Sequence, residues 1–436
     1  SWWGLFVMIR GPPRSTLSAY APHFRSALAE LETLSAGKPI RDTRGEVAKV
    51  AEMFEYYAGW CDKLHGDVIP VPSSHLNYTR HEPFGTVVQI TPWNAPIFTA
   101  GWPIAPALCA GNAVVLKPSE LTPLTSLALG LLCDRAEGMP RGLVSVLAGA
   151  GPTTGAAAVA HPDTRLVVFV GSAEAGAQIA AAAARAIVPS VLELGGKSAN
   201  IVFADADLDR ALIGAQAAIF GGAGQSCVAG SRLLVHRSIH ASFVERLSHA
   251  AARIPVGAPA DPATQIGPIN NRRQRDKIAA MVEAAAGAGA TIAAGGACPA
   301  ALRDTGGFYY GPTIVDGVAP DAAIAREEVF GPVLAVLPFD GEDEAVALAN
   351  GTPYGLAGAV WTGDGGRGHR VAAALRAGTV WVNGYKTINV ASPFGGFGRS
   401  GFGRSSGREA LMAYTQTKSV WVETAAAPAV TFGYVG

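Results

Sequence analysis

The sequence lacks an excess of charge of either sign. Among its 436 residues, Lys and Arg together number 34 and so do Asp and Glu, which gives a formal net charge of zero. No basic stripe or long block of like charge stands out, so neither a nucleic acid nor an anionic membrane has electrostatic support as a partner. The balance favours a small molecule as the ligand.

Cysteine is scarce, and metal-binding motifs are missing. The five cysteines are Cys61, Cys109, Cys133, Cys227 and Cys298, without C-x-x-C spacing. This odd, scattered set argues against a disulfide framework or a zinc knuckle and favours a reducing, cytoplasmic location. The nine histidines include no H-E-x-x-H motif, so no metal site is predicted.

The apolar run at the start of the chain is short. SWWGLFVMI covers residues 1–9, whereas a transmembrane helix needs about 20 residues. The run also lacks the basic leader and the small-residue cleavage site of a signal peptide. We therefore expect no membrane partner.

What the sequence does have is the rhythm of an α/β protein. A chain of this length is expected to form two or more domains. Between residues 85 and 203, near-continuous apolar runs alternate with helical stretches, and these runs are GTVVQI, NAVVLK, LVSVLA, RLVVFV and ANIVF. Such runs are typical of strands buried on both faces. They predict a parallel sheet wrapped by helices, a doubly wound domain that binds ligands at the carboxyl ends of its strands.

A second α/β unit and a small ribbon are predicted after it. The predicted strands of the second unit are SRLLVH, GPTIVDGV, GPVLAVLPF, LAGAVWT and GTVWVN. Near the C-terminus, the alternating stretch YTQTKSVWVET predicts an edge or interface strand that pairs with the region of Tyr78.

The stretch FGGAGQSCVAGSR, residues 220–232, surrounds one thiol with small residues. Gly221, Gly222, Ala223 and Gly224 precede Cys227 and would leave the sulfur open to a substrate, as a nucleophile requires. The alternative is a small, buried and inert cysteine in a tight turn.

Two further motifs supply polar groups after predicted strands. ITPWNAP places Asn94 between prolines, where its amide could donate to an oxyanion or simply form an Asx turn. SVLELGGKS places Glu193 among apolar neighbours, which would raise its pKa toward the value useful for a general base. The alternative for Glu193 is an ion-paired glutamate at a strand end.

Three motifs suit a nucleotide. VGSAEAG places Gly171, Ser172 and Gly176 at a helix N-terminus, which suits a pyrophosphate but also fits a plain Ser-capped helix. NAVVLKPSE places Lys117 and Glu120 after a strand, where they could hold ribose hydroxyls or belong to a solvated loop. The acids of REEVFGPV could hold a sugar hydroxyl or cap a helix.

A further glycine-rich stretch, SPFGGFGRSGFGRSSG, could be an ordinary mobile loop.

Together and in this order, these motifs resemble the aldehyde dehydrogenase superfamily. The resemblance runs from about Leu31 to Val422 and includes the interval of 34 residues between Glu193 and Cys227. It implies an NAD-binding domain over residues 1–68 and 85–194, with an apparently truncated start. It also implies a catalytic domain over 195–400 and oligomerisation strands over 69–84 and 414–424, in a homodimer or homotetramer.

The implied activity is NAD(P)-dependent oxidation of an aldehyde to a carboxylic acid. By resemblance, Cys227 would attack the aldehyde carbon, and the Asn94 amide with the Cys227 N–H would hold the oxyanion. After hydride transfer to the nicotinamide, Glu193 would activate the water that hydrolyses the thioester. Because acylating relatives do not rely on this glutamate, Glu193 favours hydrolysis to a free acid.

The cofactor residues implied by the resemblance are Trp93, Lys117, Glu120, Gly171, Ser172, Gly176, Glu328 and Phe330. Gly171 and Ser172 would meet the pyrophosphate, and Lys117 the adenosine ribose. Glu328 would hold the nicotinamide ribose, with Phe330 packed near the ring. A carboxylate at Glu120 would repel a 2′-phosphate, so NAD is expected to be preferred over NADP.

The implied substrate tunnel is lined near Ala95, Thr99, Trp102, Gly221 and Ile388. Small residues at Ala95 and Gly221 predict a wide floor, and Trp102 predicts an apolar wall. We therefore expect a medium or bulky, apolar or aromatic aldehyde. Lys386, next to this region, leaves the carboxylate of a semialdehyde open as an alternative.

Two features depart from the family pattern. The helix containing LETLSAGK follows a short segment, SWWGLFVMIRGPPRSTLSAY and a few more residues, so a truncated or divergent start is expected. Ser405 stands where relatives commonly have an acid after Gly-Arg. A catalytically impaired relative that binds nucleotide or serves as a structural partner therefore remains an alternative. An acyl-transferring thiol enzyme without nicotinamide would leave KPSE and EEVF unexplained.

Overall fold

Helices and strands alternate through residues 17–426, the part of the chain that this computed structural model describes. The helices are α1 (Leu17–Ala36), α2 (Ile40–Ala58), α3 (Pro96–Cys109), α4 (Leu124–Arg135), α5 (Ala156–Ala160), α6 (Ala173–Arg185), α7 (Leu208–Phe220), α8 (His240–Ala251), α9 (Arg272–Gly287), α10 (Ala323–Arg326), α11 (Glu342–Asn350), α12 (Gly365–Ala374) and α13 (Gly407–Ala413). The expected truncated or divergent start falls mainly on residues 1–16, which lie outside the described residues.

The strands follow the same chain order. They are β1 (Val68–Ile69), β2 (His75–Pro83), β3 (Thr86–Ile90), β4 (Ala113–Lys117), β5 (Val144–Val146), β6 (Thr164–Gly171), β7 (Ser190–Leu194), β8 (Ala199–Val202), β9 (Arg232–His236), β10 (Thr291–Ala294), β11 (Thr313–Asp316), β12 (Val333–Phe339), β13 (Tyr354–Gly355), β14 (Ala357–Trp361), β15 (Thr379–Val382), β16 (Phe397–Gly398), β17 (Gly401–Phe402) and β18 (Thr415–Glu423).

The first large sheet has the strand order β17-β7-β6-β3-β4-β5, and all neighbours from β7 to β5 are parallel. Alternate residues of β3 enter different apolar clusters, Val87 on one face and Val88 on the other. Burial on both faces explains why these strands are almost continuously apolar. The predicted doubly wound parallel sheet is confirmed.

The strand order of this sheet reverses between β3 and β6. From β3 the chain adds β4 and β5 on one side, and then returns to add β6 and β7 on the other. Ligands of doubly wound sheets bind in the crevice at such a reversal, beyond the carboxyl ends of the strands. The segments that follow β3 and β6 therefore flank the expected binding crevice.

The second large sheet has the order β10-β11-β12-β9-β8-β14-β15. Its neighbours are parallel except for the antiparallel edge strand β10. The sequence grouped the run ANIVF, which contains β8, with the first sheet, and that grouping is wrong. β8 pairs with β9 and β14, because Gly195 and Gly196 carry the chain out of β7 and across to the second sheet.

A third, antiparallel sheet has the order β1-β2-β18. Val420 in β18 is the register partner of Tyr78 in β2, so the predicted pairing of these two segments is confirmed. The glycine-rich stretch before β18 is not a plain loop, because it forms β16 and β17. Gly401 in β17 pairs antiparallel with Glu193 in β7, which returns the chain to the first sheet. Within the described residues, no helix combines the length and apolar character needed to cross a membrane.

Candidate active site

A cavity of about 930 Å³ opens beyond the carboxyl ends of β3, β6 and β7. It brings together most of the side chains and backbone positions that the sequence indicated for substrate and cofactor. These are Trp93, Asn94, Ala95, Thr99, Trp102, Gly171, Ser172, Glu193, Gly221, Cys227, Glu328, Phe330, Lys386 and Ile388. Ser405, to which the sequence assigned no role, lines the cavity as well. Lys117, Glu120 and Gly176 are outside the lining. No cluster of three or more His, Cys, Asp or Glu side chains that could hold a metal occurs in residues 17–426.

The thiol of Cys227 and the carboxylate of Glu193 are in contact in this cavity. The Cys227 Sγ donates to Glu193 Oε1 at 3.8 Å. Burial raises the pKa of Glu193 to about 7. Burial, together with the negative charges of Glu193 and Glu328, raises the pKa of the Cys227 thiol well above its usual value. The resting thiol is therefore protonated at neutral pH, beside a carboxylate that can accept and release a proton there.

Two consecutive glycines after β7 make this contact possible. A Cβ atom on Gly195 would lie 2.3 Å from Glu328 Oε2, and one on Gly196 would lie 2.7 Å from the carbonyl oxygen of Cys227. Real Cβ atoms do not approach this closely, so a side chain at Gly195 would displace the Glu328 carboxylate and one at Gly196 would push the Cys227 backbone away. The motif LELGGKS thus joins the base, the nucleophile and Glu328 in one site.

The glycine-rich segment before Cys227 serves two purposes rather than one. Only Gly221 and Gly222 line the cavity, whereas Ala223 and Gly224 are buried away from it. The sequence interpretation that all four residues open the approach to sulfur is therefore wrong for the last two. Gly222, Ala223 and Gly224 have φ values of 66°, 55° and 69°, so the segment needs left-handed backbone. Gly224 also packs against the backbone of Gly331, leaving no room for a side chain.

Asn94 reaches across from β3 to the segment that carries the thiol. Its Nδ2 donates to the carbonyl oxygen of Gln225 at 2.8 Å. This is a long-range contact, so it does not support the local Asx turn that the flanking prolines left open. A side-chain amide has two N–H donors. The bond to Gln225 orients the amide beside Cys227 and leaves a second donor for the cavity.

Ser405 is the partner of Glu193 that the sequence did not assign. Its Oγ donates to Glu193 Oε2 at 2.9 Å, while Oε1 faces the sulfur. This hydrogen bond favours the charged carboxylate and lowers the pKa of Glu193, but burial outweighs it. The only signal in the sequence was that Ser405 departs from the family pattern. Its contact depends on β17 pairing with β7, which a local motif does not reveal.

The predicted nucleotide groove lies at the ends of β4 and β6. Lys117 Nζ is paired with Glu120 Oε2 at 2.9 Å, with the lysine side chain buried and the glutamate half exposed. Ser172 caps α6 by accepting from the Ala175 N–H. Gly176 faces the sheet instead of the groove, because a Cβ there would lie 2.4 Å from Leu194 Cδ2. Its role in the structure is close packing of α6 against β7.

Glu328 and Phe330 also line the cavity. Glu328 Oε1 accepts from the Gly196 N–H at 3.0 Å, and burial raises the pKa of this carboxyl to about 7. The rings of Phe330 and Trp93 meet edge to face at 5.3 Å. Gln274, which the sequence did not indicate, donates to the carbonyl of Phe330 at 3.0 Å and holds the strained backbone there, where φ is 57°.

The substrate side of the cavity has an aromatic wall and a charged mouth. The Trp102 ring contacts the rings of Phe98 and Phe394, with centroids 4.6 and 5.7 Å away. Lys38, Asp42 and Glu46 from the region of α2 also line the cavity. The sequence indicated none of these residues except Trp102. Nothing in the local pattern of α2 distinguishes it from any other amphipathic helix.

This geometry agrees with comparisons to known proteins. The aldehyde dehydrogenase family profile matches residues 16–420. The chain is 44% identical over 418 residues to human retinal dehydrogenase 2, covering 95% of this chain and 79% of that protein. It is 44% identical over 399 residues to betaine aldehyde dehydrogenase of Bacillus subtilis, covering 91% of this chain and 81% of the relative.

Solved structures give the same result. An NAD⁺ complex of an aldehyde dehydrogenase from Bacillus cereus superposes with a TM-score of 0.92 at 41% identity, covering 97% of this chain and 84% of that one. Betaine aldehyde dehydrogenase of Staphylococcus aureus, in complex with NAD⁺, has a TM-score of 0.92 at 38% identity and covers 99% and 83%. The chain belongs to the aldehyde dehydrogenase family.

Proposed function

We propose that this protein oxidises an aldehyde to the free carboxylic acid with NAD⁺, through a thioester on Cys227. The observation that carries the proposal is the contact between Cys227 Sγ and Glu193 Oε1 at 3.8 Å, in a cavity that the predicted nucleotide groove adjoins. A nucleophile and a base within reach of each other, with oxyanion donors nearby, are the elements of acyl chemistry.

In the first step, the Cys227 sulfur attacks the aldehyde carbon while the thiol proton passes to Glu193. The new C–S bond leaves an oxyanion, which the free N–H of the Asn94 amide and the Cys227 backbone N–H hold. One such donor is typically worth ~3 kcal/mol of the barrier. The bond from Asn94 to Gln225 fixes this donor before the substrate arrives, so no reorganisation is needed.

The residues of the groove fit a dinucleotide. The first turn of α6 has N–H groups that make no intrahelical bond, and Ser172 satisfies only that of Ala175. These donors suit a pyrophosphate. Lys117 and Glu120 lie at the end of β4, which belongs to the same sheet, and there they would hold the adenosine ribose. When bound, NAD⁺ supplies the hydride acceptor, and a carboxylate at Glu120 favours it over NADP⁺.

Before the last step, Glu193 releases the thiol proton to solvent. It then takes a proton from water, the resulting hydroxide attacks the thioester carbon, and the C–S bond breaks as the departing sulfur takes that proton back from Glu193. Its pKa of about 7 lets it act as a base at neutral pH. Ser405 holds Oε2, so that Oε1 remains directed toward the sulfur and the acyl group attached to it. Hydrolysis restores the thiol and releases the free acid.

Glu193→Gln tests this assignment. The variant is expected to lose steady-state turnover by about 10²- to 10⁴-fold, because deacylation has no other base, and to keep a first-turnover burst of NADH that is slower than in wild type, because the thiol proton can pass to water instead of Glu193. Stopped-flow absorbance at the NADH band separates the two phases, with the exposed Glu245→Gln as a matched control. An unchanged steady rate would remove the role of Glu193. A catalytically silent relative would show neither phase.

The substrate that we propose is a medium or bulky, apolar or aromatic aldehyde. The wall formed by Phe98, Trp102 and Phe394 supports an apolar body, and the absence of a side chain at Gly221 leaves space opposite. A panel from acetaldehyde to benzaldehyde and longer aromatic aldehydes measures this preference. The proposal fails if acetaldehyde has the highest kcat/KM.

We also propose that the chain acts as a homodimer or homotetramer through the ribbon of β2 and β18. Leu76 in β2 and its register partner Val422 in β18 lie on one face of this ribbon and are 44% and 42% exposed, and contiguous exposed apolar surface is typical of an interface. We expect Val422→Glu to shift the mass measured by light scattering toward the monomer. An unaltered mass, or a monomeric wild type, would contradict the role of the ribbon.

A further inference from the structure

We propose that the ammonium group of Lys386 forms an anion-binding subsite in the substrate tunnel, which selects aldehydes that carry a carboxylate at the end away from the aldehyde group. The proposal rests on the proposed function and deepens it. It adds a specific polar contact to a tunnel whose other side is the aromatic wall of Phe98, Trp102 and Phe394.

The backbone on both sides of Lys386 is fixed in an unusual conformation. Asn383 and Lys386 have φ values of 52° and 60°, in the left-handed region that non-glycine residues rarely adopt. Tyr385 donates to the Val228 carbonyl at 3.0 Å, and Trp381 Nε1 donates to the Thr387 carbonyl at 2.9 Å. These bonds anchor the segment next to the thiol-bearing turn. Strain of this kind persists where the surroundings determine the position of a functional group.

The lysine side chain lies over the open floor of the tunnel. Its Nζ is 3.7 Å from the position that a Cβ on Gly221 would occupy, and both residues line the cavity. A large side chain at Gly221 would therefore compete for the space around the ammonium group. Gly221 precedes Cys227 by six residues in the chain. The combination of Gly221 and Lys386 therefore places a cation in the space that the substrate would occupy.

The acidic side chains at the mouth of the tunnel have cationic neighbours other than Lys386. Lys38 is paired with Glu46, and Arg41 lies 3.3 Å from Asp42. Within residues 17–426, Lys386 makes no hydrogen bond and no ion pair at 4.0 Å or less.

A partly desolvated ammonium without a partner is unfavourable, and a bound carboxylate would supply what it lacks. Burial, together with the nearby charge of Lys38, lowers the pKa of Lys386 to about 8, although Cys227 and Asp42 act in the opposite direction. The group therefore remains mostly charged at neutral pH. It loses its charge as the pH rises through about 8.

The test compares two aldehydes of nearly equal size that differ in charge, 4-carboxybenzaldehyde and 4-methylbenzaldehyde. We expect wild-type kcat/KM to be about tenfold or more higher for the carboxylate, which is the usual scale for a hydrogen bond to a charged group. In Lys386→Met the ratio is expected to fall toward one, and Lys386→Arg is expected to keep most of it. The matched control is Arg273→Met, because Arg273 is another cationic side chain that lines the cavity. Its replacement is expected to leave the ratio of the two kcat/KM values unaltered.

A second measurement uses the unmodified protein. Between pH 7 and 9.5, KM for 4-carboxybenzaldehyde should rise while KM for 4-methylbenzaldehyde stays level, because only the former needs a charged Lys386. A wild-type ratio near one, a ratio that survives in Lys386→Met, or a ratio lost in Arg273→Met overturns the subsite. Failure of the protein to reduce NAD⁺ with either aldehyde, or with any of the panel, instead counts against the proposed function.

Discussion

The proposed cofactor groove adjoins the cavity that contains the proposed substrate tunnel, and the two are built differently. The groove uses backbone and short motifs at the ends of β4 and β6, where Lys117 is the last residue of β4 and Ser172 caps α6. The tunnel uses side chains from distant segments, such as Asp42 on α2, Trp102 on α3 and Lys386 after β15. Pairing between neighbouring strands fixes the backbone of the groove, whereas the substitution of a single side chain can change the shape and charge of the tunnel. We therefore expect the groove to set the type of reaction and the tunnel to select the aldehyde.

The two halves meet where Glu193 contacts Cys227, and breaking that junction should have the largest effect. Gly196→Ala would place a Cβ 2.7 Å from the Cys227 carbonyl and displace the nucleophile. A misplacement of about 1 Å costs on the order of 10²-fold in rate, so at least that loss of kcat is expected. Gly287→Ala, at the end of α9 with open space around it, is the control and should keep full activity. Equal rates for the two variants would refute the packing argument.

Asn94 belongs to the groove side of the comparison but acts on the substrate. Asn94→Ala removes one oxyanion donor, so kcat should fall about 10²- to 10³-fold, as observed for such donors. KM for NAD⁺ should change little, because the amide bonds to Gln225 and faces the thiol. Steady-state kinetics at saturating NAD⁺ measure both. A loss of less than about threefold would exclude Asn94 from the oxyanion site.

Ser405 sharpens the comparison, because it acts on the base through a hydrogen bond to Glu193 Oε2. Its hydrogen bond lowers the pKa of Glu193, so Ser405→Ala should move the midpoint of steady-state turnover to a pH above the wild-type value of about 7. Turnover requires the deprotonated carboxylate and therefore rises with pH. The variant should lose several-fold at pH 7 and little at pH 9.

The neighbouring serine is the control for this pH profile. Ser406 donates to the Ser392 carbonyl and not to Glu193, so Ser406→Ala should leave the midpoint unmoved. The same midpoint in Ser405→Ala and wild type would mean that the hydrogen bond has no influence on the base.

Replacement of Glu120 tests how strongly the groove discriminates between NAD⁺ and NADP⁺. Its carboxylate is half exposed, so we expect Glu120→Ala to raise KM for NAD⁺ by a few-fold, in line with ~1 kcal/mol for an exposed polar contact. The discrimination against NADP⁺ should narrow at the same time. Parallel assays with both cofactors measure the ratio, and equal wild-type turnover with NADP⁺ would contradict this role.

The smallest catalytic effect is expected at Glu32, which supports the tunnel from behind. This buried carboxylate accepts from the Ile97 N–H at the start of α3 and from the Thr125 hydroxyl. Burial, with the charge of Glu46, raises its pKa to about 7. Folding therefore favours the protonated form of Glu32. The resulting stabilisation is fully present below about pH 4.5 and is lost as the pH rises through about 7.

Glu32→Gln removes this dependence. Between pH 5 and 8, the free energy of unfolding of wild type should fall more than that of the variant, by on the order of 1–3 kcal/mol. Denaturant titrations at both pH values measure the difference, and kcat should stay near wild type. Parallel pH dependences in the two proteins would show that Glu32 does not titrate in this range.

Local pattern alone predicted much of this molecule. Continuous apolar runs predicted the strands of both sheets, because burial on two faces requires them. Glu193, Cys227, Asn94, Lys117 and Glu328 lie in short motifs that each left an alternative open, and they were assigned roles only because the motifs together resemble a known family. The alternating C-terminal stretch predicted its own pairing with β2.

Packing decided the rest, because contacts between distant segments leave no local pattern. The hydrogen bond from Ser405 to Glu193 exists only because β17 returns to β7. The assignment of β8 to the second sheet depended on the two glycines that precede it, and the charged mouth depended on where α2 packs. The sequence by itself determined which candidate groups for the chemistry are available, since motifs place them on the backbone. Only the tertiary structure decided which side chains surround them, since that depends on how helices, turns and strands far apart in the chain meet.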